Sequence, residues 1–337
     1  MAADTHRGRK RELARADRVQ PGVWRLRLPL PWLGVPHVNA YAVAAGSGVV
    51  LFDTGMHEPG SFAQLERALE QAGLGVEHIR LVVCTHAHSD HYGQAASICE
   101  AAGCELWMHP AHEHATKPLA DPEAELERRI EVARQSGMPL AALERLDEQI
   151  RDRNPGIAGV KPPDRELLPG VEIETDLGRW QVVETPGHAP SHVVLHQPDR
   201  RLLISGDHVL GRPSLFFDFG YTPDPVGEYL TSLEKTRALE VDLILAGHGR
   251  PARDLTGHID AHLDLVDAAL ARIRTTLTDA PSTAYDLAGP AIGIDSVPDF
   301  AISWAMSLAN SYLRRLEVTG QVERVEGSDP ERWRLIV

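Results

Sequence analysis

One local pattern constrains this chain more than any other: apolar, β-rich runs that each break at a turn carrying histidine or aspartate. Ile79-Arg80-Leu81-Val82-Val83-Cys84 runs into Thr85-His86-Ala87-His88-Ser89-Asp90-His91. Val182-Val183-Glu184-Thr185 leads to Pro186-Gly187-His188, Leu202-Leu203-Ile204 to Gly206-Asp207-His208, and Leu243 to Ala246 to Gly247-His248-Gly249. An earlier run, Gly48 to Phe52, ends in Asp53-Thr54-Gly55. Short apolar runs bounded by turn residues read as buried strands, and glycine at the break lets the chain turn sharply. Three imidazoles and a carboxylate within six residues would need partners in one tight loop if buried as packing. Imidazole and carboxylate groups held on rigid elements are ligands for borderline metals such as zinc. The sequence therefore predicts a layered α/β fold with a multi-ligand metal site along one sheet edge.

Between these runs the pattern alternates with helical stretches. Ser61 to Gly73 places Phe62, Leu65, Ala68, Leu69 and Ala72 on one face, with Ser61 as N-cap and Gly73 as stop. Gln94 to Ala102 and Thr231 to Ala238 read as further helices, and Glu105 to Met108 as a strand. Residues 110–165 break the rhythm. Pro122 to Gln135 and Leu140 to Arg153 form two charged amphipathic helices inserted into the sheet domain, as a solvated excursion or a substrate wall. From Leu255 the sequence turns helical (Ile259 to Leu277, Thr283 to Leu287, Phe300 to Leu316) and closes with a hairpin, Gln321 to Val325 and Trp333 to Val337. The expected division is a basic, disordered tail over 1–18, a catalytic domain over 19–254, and a small winged-helix-like domain over 255–337.

Charge and composition exclude several classes. With 34 Lys plus Arg against 48 Asp plus Glu the formal charge is −14, which disfavours nucleic acid and anionic membrane as partners. Residues 255–337 hold 7 basic against 12 acidic side chains, the wrong sign for a DNA-reading winged helix. No apolar run approaches the ~18 residues of a membrane span. Three cysteines (Cys84, Cys99, Cys104) do not make a disulfide framework. The N-terminal segment lacks the apolar stretch and cleavage site of a secretory signal, so a cytoplasmic location is expected.

The His-x-His-x-Asp-His run at His86, His88, Asp90 and His91, with His188, Asp207 and His248 downstream and Asp53 upstream, resembles the metallo-β-lactamase-fold hydrolases over residues 20–255. The tail resembles the appendage of a hydroxyacylglutathione-hydrolase-like branch. The resemblance implies a four-layer αββα sandwich and two divalent metals, with zinc the first choice and iron or manganese accepted by the same ligands. It implies that His86, His88 and His188 hold one ion, Asp90, His91 and His248 the other, and that Asp207 bridges them. A bridging hydroxide would attack a carbonyl, with catalytic Asp90 orienting it and Asp53 fixing an imidazole from behind.

The substrate expected is a small thioester or ester. A lactonase comes second, because Leu210 stands where such enzymes often carry Tyr three residues after the bridging Asp. A phosphodiesterase or nuclease comes third, and a regulatory protein using its C-terminal module is the alternative outside enzymes. β-Lactamases are disfavoured, since those with this first motif usually lack Asp at position 207 and are exported. Tyr92, Arg212, Phe216, Phe217 and Tyr221 are candidates for an apolar pocket with one anion-binding Arg. His192, His208 and the cluster His109, His112 and His114 read first as packing or loop residues. A homodimer through the insertion or tail is the candidate assembly.

Overall fold

Strands that are apolar on both faces need a covering layer on each side. In the computed structural model, which describes residues 13–32, 34–151, 154–277 and 280–336, two sheets cover each other's inner faces and helices cover the outer ones. The first sheet opens as an antiparallel meander of β1 (Arg15–Gln20), β2 (Val23–Pro29), β3 (His37–Ala45) and β4 (Gly48–Phe52). Helix α1 (Ser61–Gln71) crosses to β5 (Ile79–Val83), which lies parallel to β4 with Leu51 opposite Val82. Helices α2 (Ser89–Tyr92) and α3 (Ala95–Ala102) lead to β6 (Glu105–Met108). The insertion follows as α4 (Glu113–Ala120), α5 (Pro122–Gln135) and α6 (Leu140–Arg151), before β7 (Arg165–Glu166) completes a sheet ordered β1 to β7.

The second sheet contains β8 (Glu172–Thr175), β9 (Gly178–Glu184), β10 (Val193–Gln197), β11 (Leu202–Gly206) and, after α7 (Pro225–Arg237), β12 (Leu243–Ala246). Its order is β12-β11-β10-β9-β8, with only β11 and β12 parallel. Helices α8 (Leu255–Leu277), α9 (Ala288–Ile292) and α10 (Ile302–Val318) end in the hairpin β13 (Val322–Arg324) and β14 (Trp333–Leu335).

The side-chain period of two sorts each strand between layers. Val50 and Phe52 face the inter-sheet core with Trp180, Val182 and Ile204, while Leu51 faces Leu65 and Leu69 of α1. Likewise Leu202 and Ile204 point inward, whereas Leu203 packs outward against α7 and α8. The outer cluster is continuous from Leu203 and Ile244 through Ile259 and Val266 to Leu308, Tyr312 and Trp333. The C-terminal helices are thus the fourth layer of the sandwich as well as an appendage.

The structure corrects several local expectations. The tail assigned to 1–18 contributes strand β1 from Arg15, and its first twelve residues lie outside those described. Gly60, in a left-handed conformation, takes the N-cap place expected for Ser61, whose hydroxyl instead accepts from the Glu58 N–H at 3.1 Å. The insertion has three helices rather than two, α4 occupying the histidine-rich start. Thr283 to Leu287 is a turn: its Thr283 hydroxyl and N–H donate to Asp286, so the backbone is held locally and helix α9 starts at Ala288. Among the described residues no helix is long and apolar enough to cross a membrane.

Candidate metal centre

The sheet topology delivers five strand ends to one edge of the sandwich. Asp53 follows β4, residues 84–91 follow β5, His188 follows β9, Asp207 follows β11 and His248 follows β12. Their side chains meet there. His86 Nε2 and His188 Nε2 each lie 3.0 Å from His88 Nδ1. His248 Nε2 lies 3.2 Å from Asp90 Oδ2, and His91 Nε2 lies 3.5 Å from the same oxygen. Asp207 stands between the two groups, with its carboxylate 3.2 Å from His248, 3.4 Å from His91 and 3.8 Å from His188. His86, His88 and His188 form one set able to hold a metal, and Asp90, His91 and His248 another.

The partners behind these rings decide which nitrogen faces the cleft. His91 Nδ1 is 2.8 Å from the Asp53 carboxylate, and His88 Nε2 is 2.8 Å from that of Asp218. His188 Nδ1 reaches the Phe216 carbonyl and His248 Nδ1 the His37 carbonyl, both at 3.0 Å. Carboxylates and carbonyls only accept, so each of these nitrogens carries the hydrogen. Thr85 donates its hydroxyl hydrogen to Asp53 at 3.0 Å, which leaves its oxygen to accept from His86 Nδ1, also at 3.0 Å. All five imidazoles are therefore oriented with their other ring nitrogen toward the cleft, where the neutral ring offers a lone pair.

Lone pairs on His86 and His188, each 3.0 Å from that of His88, repel it unless a cation lies among them. Two buried atoms facing the cleft, His91 Nε2 and Asp207 Oδ1, have no hydrogen-bond partner among the described residues. Orphaned buried acceptors are rare and call for an ion or water, and the hydrogen-bonded rear nitrogens are those of metal-bound histidines. The donor set fits divalent cations.

Electrostatics agree. Burial alone would lower the pKa of His248, but the Asp207 and Asp90 carboxylates outweigh it and raise it to about 10. The same balance, with Asp53 added, lifts His91 well above its usual range. His188, where burial and the neighbouring His88 act together, falls to about 4. Two carboxylates here demand positive charge, from protons or from metal.

The remaining predicted residues divide. Asp53 sits behind His91, its left-handed backbone (φ 61°) presenting Oδ1 to the Thr85 N–H at 2.8 Å. Phe216 stands over the cleft, with its ring centroid 5.5 Å from that of His88 and 5.7 Å from that of His188. Tyr221 is at the rim, against His114 and under the Arg128 guanidinium. Arg212 is exposed on the same loop.

Two pocket candidates are corrected. Tyr92 is buried among the residues under α1 and α3, and its hydroxyl bonds the Lys161 backbone on both sides, at 2.7 and 2.8 Å. Phe217 turns into the outer core against Tyr229 and Tyr312. Both rings follow the apolar side of their backbone, away from the ligands. His208 is also turned outward, to Thr236, while His192 Nε2 accepts from the Asp207 N–H at 3.2 Å and so holds that residue's backbone.

Asp218 and His114 were missed. Asp218 Oδ2 joins His88 Nε2 to His114 Nδ1 at 2.8 and 2.9 Å, and His114 Nε2 reaches the Ser191 hydroxyl at 2.8 Å. A single acid in a loop carries no sequence signal of this, although His114 lay in a histidine cluster.

Residues 33–248 match the sequence profile of the Metallo-beta-lactamase superfamily. The chain is 27% identical over 300 residues to the beta-lactamase-like protein 2 homolog of Drosophila melanogaster, spanning 87% of this chain and 86% of that one. To the Caenorhabditis elegans homolog it is 24% identical over 226 residues, which are 67% of this chain but only 60% of the relative's length. Among solved structures, a beta-lactamase domain protein from Burkholderia ambifaria superposes with a TM-score of 0.82 at 27% identity, covering 95% of this chain and 94% of that one.

Proposed function

The chain belongs to the metallo-beta-lactamase superfamily, and from that premise we propose that it is a binuclear metal-dependent hydrolase of a small acyl thioester or ester. The observation that carries this reading is the set of five imidazoles oriented by rear hydrogen bonds so that their other nitrogens face a cleft that also contains Asp90 and Asp207. His86, His88 and His188 would hold one cation, and Asp90, His91 and His248 the second. Asp207 reaches toward both sets. Zinc suits this imidazole and carboxylate chemistry best, and iron or manganese is compatible. When bound, divalent cations supply Lewis acidity and a water that ionises near neutral pH.

The chain's own residues supply the rest. Asp90, 3.2 Å from His248, is placed to accept a hydrogen bond from water in the cleft and orient it. Asp53, Thr85, Phe216 and His37 keep the rings from rotating. Phe216 and Tyr221 offer an apolar wall for an acyl group, and Arg128 beside Tyr221 puts a cation at the rim. Glu125 holds the Arg128 guanidinium through two hydrogen bonds of 2.8 Å, so Arg212, exposed on the loop that carries Phe216, stays the candidate for binding an anion.

Leu210 is buried in the outer core, which keeps the lactonase second. The acidic tail keeps phosphodiesters third. The helix-then-hairpin order of residues 255–337 supports a winged-helix-like module of the hydroxyacylglutathione-hydrolase-like kind. A cytoplasmic location and a homodimer belong to the same proposal; Leu140 and Phe300, 72% and 70% exposed, are apolar surface that a second copy could cover.

The test is turnover of an acyl-CoA, S-lactoylglutathione, an acyl-homoserine lactone and a phosphodiester, with and without chelator. Chelator-sensitive thioester hydrolysis as the fastest reaction is expected. Faster turnover of the lactone or phosphodiester replaces the substrate assignment. No turnover together with tight duplex binding sinks the enzyme reading.

A further inference from the structure

The segment Leu215 to Asp218 is tied on two sides at once. Toward the C-terminal helices, Trp304 Nε1 donates to the Leu215 carbonyl at 2.9 Å, and Ser307 Oγ donates to the Phe217 carbonyl at 2.7 Å. Trp304 and Ser307 are three residues apart on α10 and so share one face. Toward the metal centre, the intervening Phe216 carbonyl accepts from His188 Nδ1 at 3.0 Å, and the Asp218 carboxylate takes His88 Nε2 at 2.8 Å. The Asp218 N–H adds a bond to the His188 carbonyl at 3.2 Å. Alternate groups thus face opposite sides: 215 and 217 to α10, 216 and 218 to the centre. The insertion closes the arrangement from a third direction, since His114 of α4 donates to the same Asp218 oxygen at 2.9 Å.

Every tie on the inner side ends on His88 or His188, two of the three rings of one metal set. Among the described residues none of these ties reaches Asp90, His91 or His248; Asp53 holds His91 and the His37 carbonyl holds His248. From this we infer that residues 215–218 are a positioning strap through which α10 and α4 set the two rings of the His86, His88 and His188 set. Asp218, Trp304 and Ser307 are its positioning residues. Through it the C-terminal helices and the insertion act on one metal site and leave the other untouched. A ring free to rotate about its Cβ–Cγ bond binds metal only in a fraction of its orientations. Removing such outer partners typically lowers metal affinity about 10–100-fold.

The inference rests on the ligand assignment proposed above, so the experiment reads the two separately. Purified full-length chain is stripped and titrated with Co2+, following the visible absorption bands and competition with a chelator. Wild type is expected to bind two ions, and His86→Ala to lose the one held by the set it belongs to. If wild type binds none, or His86→Ala still binds two, the ligand assignment fails.

Given that assignment, Asp218→Ala is expected to weaken one Co2+ site about 10–100-fold and alter its bands, with the other site unchanged. Asp218→Asn, which keeps an acceptor for His88, should recover part of the loss. The double variant Trp304→Phe with Ser307→Ala, which removes only the two donors on α10, should weaken the same site. Melting curves of each variant report whether folding is retained. Wild-type affinity and bands in a folded Asp218→Ala protein, or equal weakening of both sites, would overturn the strap.

Discussion

Asp207 is the residue that reaches toward both proposed ligand sets. Its carboxylate lies within 3.2 to 3.8 Å of rings from both, and its own backbone is held by His192 from behind. One of its oxygens is buried without a hydrogen-bond partner. Replacing it with alanine removes the shared acceptor and leaves His91 and His248 facing a cleft that has lost one of its two central charges. Asp207→Ala is expected to lose most bound metal and to lower turnover by more than the roughly 10–100-fold typical of an outer partner. Metal analysis finding two ions per chain, with normal activity, would refute the bridging role. Asp90 has a different position, within 3.5 Å of His91 and 3.2 Å of His248, so its loss should leave the His86, His88 and His188 set loaded.

At the scale of elements, the site depends on how closely the turns after β11 and β12 approach each other. Gly247 donates its N–H to the Gly206 carbonyl at 2.8 Å and accepts from the Asn39 N–H at 2.7 Å. A Cβ at position 247 would lie 2.3 Å from Asp207 Oδ1 and 2.6 Å from His91 Cε1. The only room for a methyl group there is inside the ligand cluster. Gly247→Ala is therefore expected to displace Asp207 and His91, to cost stability on the scale of about 1–3 kcal/mol for overpacking, and to abolish high-affinity metal binding. Equilibrium dialysis and a melting curve on the same sample check both parts; unchanged metal content would show that the cluster can yield. The requirement for glycine here is one of close approach, since both flanking turns are already pinned by backbone bonds.

For the whole molecule, the ligands join the two sheets. Asp53 and residues 86–91 come from the first sheet, and His188, Asp207 and His248 from the second. Each proposed set draws on both sheets, so a cation in either would bond only the folded arrangement and stabilise the fold by about 4 kcal/mol at a thousandfold excess over its Kd. Chelation is expected to lower Tm by several degrees, and re-addition of metal to restore it. A Tm unmoved by chelator would mean that the sheets do not rely on the centre. The formal charge of −14 counts Asp90 and Asp207, two cleft carboxylates that bound cations would neutralise.

The strand-end histidines and aspartates were legible because each lies within a few residues of an apolar run, and a β strand with both faces buried leaves its polar groups at its end. The layered α/β class followed from the same runs, and the insertion and the C-terminal helices from their amphipathic spacing. Tertiary structure alone decided the rest. Asp218 meets His88 across 130 positions of sequence, and Trp304 meets Leu215 across 89, distances over which a single residue has no periodic signature. Phe216 and Phe217 are neighbours in sequence and equivalent in chemistry. One stands over the ligands and the other in the core, because a one-residue step in a pinned strap reverses the side and only the packing of α10 determines which.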